Sequence, residues 1–160
     1  MASDLFIKIG DIKGESQDDK HKDEIEVLSW NWGLSQPGSM GTGGGGGMGK
    51  VSFSDLTFAH YVDKSTPNLM KACATGEHIK EAKMTIRKSG KTPQEFLLIT
   101  MSDVFITHVG PSGQSGEGGM SEIISMQFSK VDLEYKPQKA DGSLDAGIHF
   151  KYNIKLNKEG

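Results

Sequence analysis

Glycine and lysine in one segment offer the first candidate for chemistry. Residues 39–50 read Ser-Met-Gly-Thr-Gly-Gly-Gly-Gly-Gly-Met-Gly-Lys. A glycine-rich segment ending in lysine can cradle a phosphate when a helix begins directly after it, because the backbone N–H groups at the helix start then meet the anion. Here Val51, Ser52 and Phe53 follow and begin a strand pattern. We therefore expect no nucleotide site in this segment.

Histidine, cysteine and carboxylate residues are the next candidates for a metal site or a nucleophile. The five histidines show no H-x-H, H-x-x-x-H or HExxH spacing, and Cys73 is the only cysteine. No G-x-S-x-G motif is present, and no pair of carboxylates lies in an apolar setting that would separate the two pKa values. The sequence predicts no enzymatic activity, no metal site and no cofactor, with Cys73 acting as a small buried side chain.

Charged residues form two local clusters. Residues 18–24 read Asp-Asp-Lys-His-Lys-Asp-Glu, which predicts a solvated loop. Lys83, Arg87, Lys88 and Lys91 form a small basic patch, interpreted either as a solvated strand and turn or as a charge-complementary contact with another protein. The net charge of −3 and the lack of a long apolar run argue against nucleic-acid binding and membrane insertion.

The elements that must position these residues are mostly strands. Apolar and polar residues alternate from Ile148 to Leu156, and the alternation elsewhere changes phase, which predicts bulged strands. One short helix is predicted at about Thr66 to Thr75, with Pro67 in its first turn and Gly76 after its end. The 160 residues then predict one mainly β domain, either a barrel or a two-sheet sandwich.

Two tryptophans indicate which strand face is buried. Alternation places Trp30 and Trp32 on one face with Leu28, and Ser29 and Asn31 on the opposite, small polar face. We expect the tryptophans to pack in the core, although stacking on a carbohydrate is the alternative. The predicted core residues are Trp30, Trp32, Leu69, Cys73, Phe150 and Tyr152.

The 21 glycines are concentrated in two windows. One lies between Gly33 and Gly49 and the other between Gly110 and Gly119. The first is either a flexible connector or a loop that becomes ordered only against a partner, and its two methionines favour the second interpretation because soft apolar side chains suit a contact surface.

Several longer segments resemble one protein family. Residues 4–16 read DLFIKIGDIKGES, residues 25–33 read IEVLSWNWG, residues 61–69 read YVDKSTPNL and residues 135–142 read YKPQKADG. Together they resemble the haemolysin-coregulated protein (Hcp) family, which supplies the inner tube of the bacterial type VI secretion system. The resemblance spans essentially residues 1–160, which are expected to form a single tube-subunit domain.

The resemblance implies a two-sheet β-barrel with one short α-helix and extended glycine-rich loops. Six copies would close into a ring, and stacked rings would form a hollow tube that sheath contraction exports. The implied partners are further copies of the chain, a VgrG-like spike, sheath proteins and small effector proteins in the lumen. The N-terminal sequence has no pattern of a signal peptide, so we expect a protein made in the cytoplasm and exported by the type VI system.

The resemblance also gives the polar strand face and the glycine windows expected roles. Ser29 and Asn31 are the candidates for the lumen lining and for contact with effectors. Contacts between subunits or rings are predicted for Ser39, Met40, Gly43, Gly44, Gly45, Gly46, Gly47, Met48 and Lys50 in the first window, and for Gln114 and Glu117 in the second. The alternative function is a monomeric small β-barrel that binds a ligand or a sugar, with the tryptophans lining its pocket.

Overall fold

Strands account for most of the regular structure in a computed structural model that describes residues 2–38 and 49–160. The single helix within these residues is α1 (Thr66–Thr75). The strands are β1 (Ser3–Ile9), β2 (Ile25–Glu26), β3 (Ser29–Asn31), β4 (Leu34–Ser35), β5 (Ser52–Phe53), β6 (Leu56–Tyr61), β7 (Ile79–Lys88), β8 (Gln94–Ser112), β9 (Ser121–Tyr135), β10 (Ile148–Asn153) and β11 (Lys158–Glu159).

One antiparallel sheet contains most of these strands. Its main path runs β11-β10-β9-β8-β7-β1-β2. The second half of β9 pairs with β10, whereas its first half pairs with β6, and β6 in turn pairs with β3. The sheet therefore divides into two arms along the long strands β8 and β9. A separate two-stranded sheet joins β4 and β5.

The predicted closure into a β-barrel is wrong. Residues 25–31 pair first with β1, through Ile7 and Ile25, and then change partner to β6. The Val27 N–H donates to the Leu5 carbonyl at 2.9 Å, and the Leu28 N–H donates to the Ala59 carbonyl at 2.8 Å. Because this segment pairs with each arm through only one of its ends, no backbone ladder joins the free edges of the two arms within the described residues.

Along both long strands, β8 and β9, the core-facing side chains switch from one side of the strand to the other partway along its length. On β9, Phe128 is buried before the change and Val131 after it, as the phase change in the sequence predicts. On β8 the buried side switches directly opposite, between Met101 and Val104, where Asp103 adopts a φ of 54°. The backbone pairs on either side of Asp103 keep one register, so the two strands bend together there. The register shift of a bulge lies further along β8, between Ile106 and His108.

The helix forms where the sequence predicts it and packs into the core. Pro67 lies in its first turn, and Gly76 ends it in the left-handed conformation with φ 65°. Leu69 is fully buried in the same apolar cluster as the core residues of both sheet arms, whereas Met70 is exposed. The helix contacts β8. It therefore covers one side of the core.

The alternation from Ile148 to Leu156 does not form one strand. β10 ends at Asn153, whose side-chain Oδ1 accepts a hydrogen bond from the Leu156 N–H at 2.9 Å. This bond turns the chain, and Leu156 is exposed. Ile148 is also exposed, whereas Phe150 and Tyr152 are half-buried against the core.

Leu69→Ala tests the role of the helix in the core. Removing a fully buried leucine side chain leaves a cavity, so the free energy of unfolding falls by about 2–5 kcal/mol. The matched variant Met70→Ala changes an exposed neighbour and costs less than about 1 kcal/mol. Urea unfolding followed by circular dichroism measures both. Equal losses would contradict the packing described for α1.

Candidate assembly surfaces

The outward face of one sheet arm carries the residues that the sequence singles out. Ser29 of β3 pairs with Ala59 of β6, which pairs with Ile123 of β9. The next row pairs Asn31, Thr57 and Ser125 in the same order. We call eight residues of this outward surface the neutral face, because none of them is ionisable at neutral pH. They are Ser29, Asn31, Thr57, Ala59, Tyr61, Ser121, Ile123 and Ser125. Exposed His108 of β8, which pairs with Ser125, and Asp55, which is bonded to Gln127, border them.

Alternation on the three strands explains how the neutral face arises. On β6 the side chains of Leu56, Phe58 and His60 are buried, so the residues between them point outward. Ser29 and Asn31 are exposed, and the Thr57 and Ser125 hydroxyls lie 2.9 Å apart in hydrogen-bond contact.

The tryptophans lie on the opposite side of the same segment. Trp30 and Trp32 are half-buried against the core, and the Trp32 ring lies 5.9 Å from both Phe53 and Phe128. The expectation for Leu28 is wrong, because the chain changes its pairing partner at this residue and Leu28 is exposed. Of the remaining predicted core residues, Leu69 is fully buried and Cys73 is half-buried.

The two glycine windows leave opposite ends of the neutral face. The first begins at Gly33, beside Asn31, where hydrogen bonds between Gly33 and Ser54 lie next to the paired strands β4 and β5. The second lies in the β8–β9 turn, next to Tyr61, where the Val62 N–H donates to the Met120 carbonyl at 2.8 Å. The face therefore spans the distance between the two windows.

The predicted contact residues fall partly within these windows. Lys50, Gln114 and Glu117 are exposed. The remaining predicted residues of the first window, Ser39, Met40, Gly43, Gly44, Gly45, Gly46, Gly47 and Met48, lie outside the described residues.

A clamp of charged and aromatic groups holds the loop between β1 and β2. Arg87 Nη1 donates to Asp18 Oδ2 at 2.9 Å, and Arg87 Nε donates to Asp4 Oδ2 at 3.3 Å. The His21 ring stacks on Phe6 with 4.5 Å between centroids, while its two nitrogens lie 3.0 and 2.9 Å from Glu24 and Glu95 carboxylate oxygens.

The clamp corrects two expectations from the sequence. Residues 18–24 are not simply a solvated loop, because His21 is buried. Arg87 does not belong to a solvated basic patch either, because it is buried and paired with carboxylates. Its hydrogen bond lowers the pKa of the Asp18 carboxyl below the ordinary value, and the same bond raises the pKa of Arg87.

A second polar cluster lies behind the neutral face. His60 Nε2 lies 2.7 Å from Glu122 Oε1, and both side chains are buried. The Thr66 hydroxyl, at the start of α1, donates to the same Glu122 oxygen at 2.7 Å. The cluster therefore fastens β6, β9 and the helix to one another. No local pattern predicts this cluster, because Glu122 lies more than 50 positions from both His60 and Thr66 in the chain.

The described residues contain no group of three or more histidine, cysteine, aspartate or glutamate side chains arranged to hold a metal ion. A groove of about 940 Å³ lies between α1, the end of β1 and the start of β7, and is lined mainly by charged and polar side chains. Neither tryptophan lines it.

Within residues 2–38 and 49–160, no helix is long and apolar enough to cross a membrane.

The described residues thus form a mainly β domain with one helix, an exposed sheet face of small uncharged residues, and buried charged groups held in internal pairs. Comparison with known proteins identifies the family. The family described as "Type VI secretion system effector, Hcp" matches residues 6–135. The chain is 52% identical over 159 residues to Protein hcp1 of Pseudomonas aeruginosa, with 98% of each chain covered.

Solved structures agree with this match. Hcp1 from Salmonella typhimurium is 42% identical, covers 100% of both chains and has a TM-score of 0.80. Another solved type six secretion system protein is 28% identical, with a TM-score of 0.92 over 99% of this chain and 100% of its own. The chain belongs to the Hcp family and is a structural tube protein of type VI secretion, not an enzyme. These relatives give no support to the monomeric ligand-binding alternative.

Asp18→Asn tests the clamp through its pH dependence. The pKa of Asp18 is lowered in the folded state, so the stabilisation is present above the ordinary carboxyl pKa of about 4 and is lost as the pH falls through the folded-state value. We expect the variant to lose at most about 1 kcal/mol at pH 7, because Asp18 remains partly solvated.

Urea midpoints measured from neutral to acidic pH check this expectation. The variant and the wild type should converge as the pH falls, and the exposed neighbour variant Asp19→Asn should match the wild type throughout. A difference between Asp18→Asn and the wild type that persists undiminished in acid would contradict the assignment.

Proposed function

We propose that six copies of this chain, each acting through residues 1–160 as one unit, close into a ring, and that rings stack into a hollow tube exported by sheath contraction. The observation that carries the proposal is the neutral face, with one glycine window at each of its ends. A subunit in a stacked ring needs an inner surface for the channel and distinct surfaces at its top and bottom, and this arrangement offers all three.

The neutral face is the proposed channel lining. Small polar side chains at Ser29 and Asn31 leave the channel open, and neither residue carries a charge that would hold an ion or a charged protein tightly. Effector proteins in the lumen would contact these two residues first. The opposite arm of the sheet, where Lys83 of β7 points outward, then faces the outside of the ring.

The glycine windows are the proposed contacts between copies. Because the paired strands β4 and β5 and the β8–β9 turn leave opposite ends of one face, a contact between the first window of one copy and the second window of the next repeats head to tail. Heterologous contacts of this kind generate open filaments, as a tube of stacked rings requires. Many weak repeated contacts are sufficient, since each subunit is held at several places at once.

The remaining partners follow from membership of the family. A VgrG-like spike would cap the tube, and sheath proteins would surround it. The chain would be made in the cytoplasm and leave the cell with the tube.

Gold labelling tests which face lines the channel. In a Cys73→Ser background, Asn31→Cys is labelled with maleimide nanogold, and Lys83→Cys serves as the matched control on the other arm. Negative-stain class averages should show gold inside the open centre for Asn31→Cys and on the outer rim for Lys83→Cys. Gold on the outer rim for Asn31→Cys would exclude the neutral face as the lining, and the absence of rings would exclude the ring itself.

Deleting residues 43–47 tests the role of the first window. Shortening a long connection between two strands should change folding stability little, so the unfolding midpoint of the dissociated subunit should stay the same. Tube or ring formation should weaken, as measured by size-exclusion chromatography with light scattering and by imaging. Insertion of two glycines at the exposed Ala140 is the control and should leave assembly intact. Normal assembly of the deletion variant would refute the proposed contact.

A further inference from the structure

The loop between β1 and β2 buries an aromatic residue apart from the main core, and we call residues 13–24 of this loop the strap. Phe6 is 4% exposed but does not belong to the apolar cluster that contains Ile7, because alternation along β1 turns its side chain to the other side of the sheet. The strap covers Phe6 there, with the His21 ring stacked on it. Opening of the strap would therefore bare an aromatic side chain on the side of the sheet that carries Lys83.

Both ring nitrogens of His21 contact carboxylates. Nδ1 lies 3.0 Å from Glu24 Oε2 in the strap, and Nε2 lies 2.9 Å from Glu95 Oε1 on β8. A neutral imidazole has one N–H donor and one lone pair, whereas an imidazolium donates from both nitrogens, and an ionised carboxylate only accepts. The charged ring therefore satisfies both contacts at once, while a neutral ring turns its lone pair toward one of the carboxylates.

The charges around His21 also favour a second cation at this site. The charged groups that the surrounding elements contribute are Asp4 of β1, Arg87 of β7, Glu95 of β8, and Asp18 and Glu24 of the strap itself. Four carboxylates thus surround one permanent cation, and Arg87 is already bonded to Asp4 and Asp18. Lys20 and Lys22 flank His21 in the chain but are exposed. A charged His21 supplies the missing positive charge inside the site.

We propose that protonation of His21 closes the strap, which makes residues 13–24 a pH-sensitive cover over Phe6. The charged ring joins the strap to β8 through Glu95, and the neutral ring releases one of its two carboxylates, so rising pH favours opening. In the proposed ring this arm faces outward, which places the cover on the outer wall of the tube. The cover itself depends only on contacts within one subunit, whichever arm lines the channel.

Hydrogen exchange measured by mass spectrometry on the full-length protein tests the cover. The amides of Gly14, Ser16 and Asp23 donate to carbonyl groups within the strap, so their protection reports closure. Ordinary carboxyl groups are ionised throughout the range from about pH 6 to about pH 9. Protection relative to the unfolded-chain rate at the same pH should fall by about tenfold over this range, as expected for the loss of one charge-assisted hydrogen bond. The amides of α1 should keep their protection.

Substitutions assign the response to one ring. His21→Gln should leave the strap weakly protected at every pH. His149→Gln is the matched control, because His149 Nδ1 lies 2.8 Å from Asp132 and Nε2 lies 3.3 Å from Glu134, but this ring is 38% exposed and lies on β10. It should keep the wild-type response. Glu95→Gln retains the His21 ring and changes a partly exposed carboxylate, so it should fold and show a smaller response.

Three results would overturn the inference. These are protection of the wild-type strap that does not change with pH, a pH response that persists in His21→Gln, and an equal loss of the response in His149→Gln. If His21→Gln does not fold, Glu95→Gln decides, since an undiminished response in that variant contradicts the proposed bridge. Loss of protection in α1 together with the strap would show global unfolding and would likewise exclude a local cover.

Discussion

The register in which β3, β6 and β9 pair decides which side chains enter the core and which form the neutral face. On β6, Leu56 and Phe58 point into the core, and Thr57 and Ala59 between them point outward. The side chains of the partner strands alternate in the same way. A slip of one residue would exchange the two sets and bury hydroxyl groups in place of aliphatic side chains. The neutral face and the core are therefore two results of a single pairing.

Buried polar clusters fasten the elements that backbone ladders leave free. His60, Glu122 and Thr66 connect the helix to the arm that carries the neutral face. Arg87 and His21 close the loop after β1 over the other arm. Removing one partner of the fully buried His60–Glu122 pair leaves the other side chain without its hydrogen bond, which costs about 1–3 kcal/mol. Each arm thus has its own polar fastening in addition to the shared core.

Local patterns in the sequence were sufficient for much of the fold. The helix boundaries follow from Pro67 and Gly76, and the phase change on β9 follows from its apolar residues. Contacts between residues far apart in the chain could not be predicted in this way. The partner change of residues 25–31, which leaves the barrel open and Leu28 exposed, depends on which strands lie on either side. The pairing of Arg87 with Asp18 joins residues 69 positions apart.

The most direct measurement is a cryo-electron microscopy reconstruction of assembled tubes of this protein. The account predicts that Ser29 and Asn31 line the channel, and that the first glycine window of one ring contacts the β8–β9 turn of the next. A reconstruction in which the neutral face points outward, or in which both glycine windows are free of contacts between copies, would contradict it.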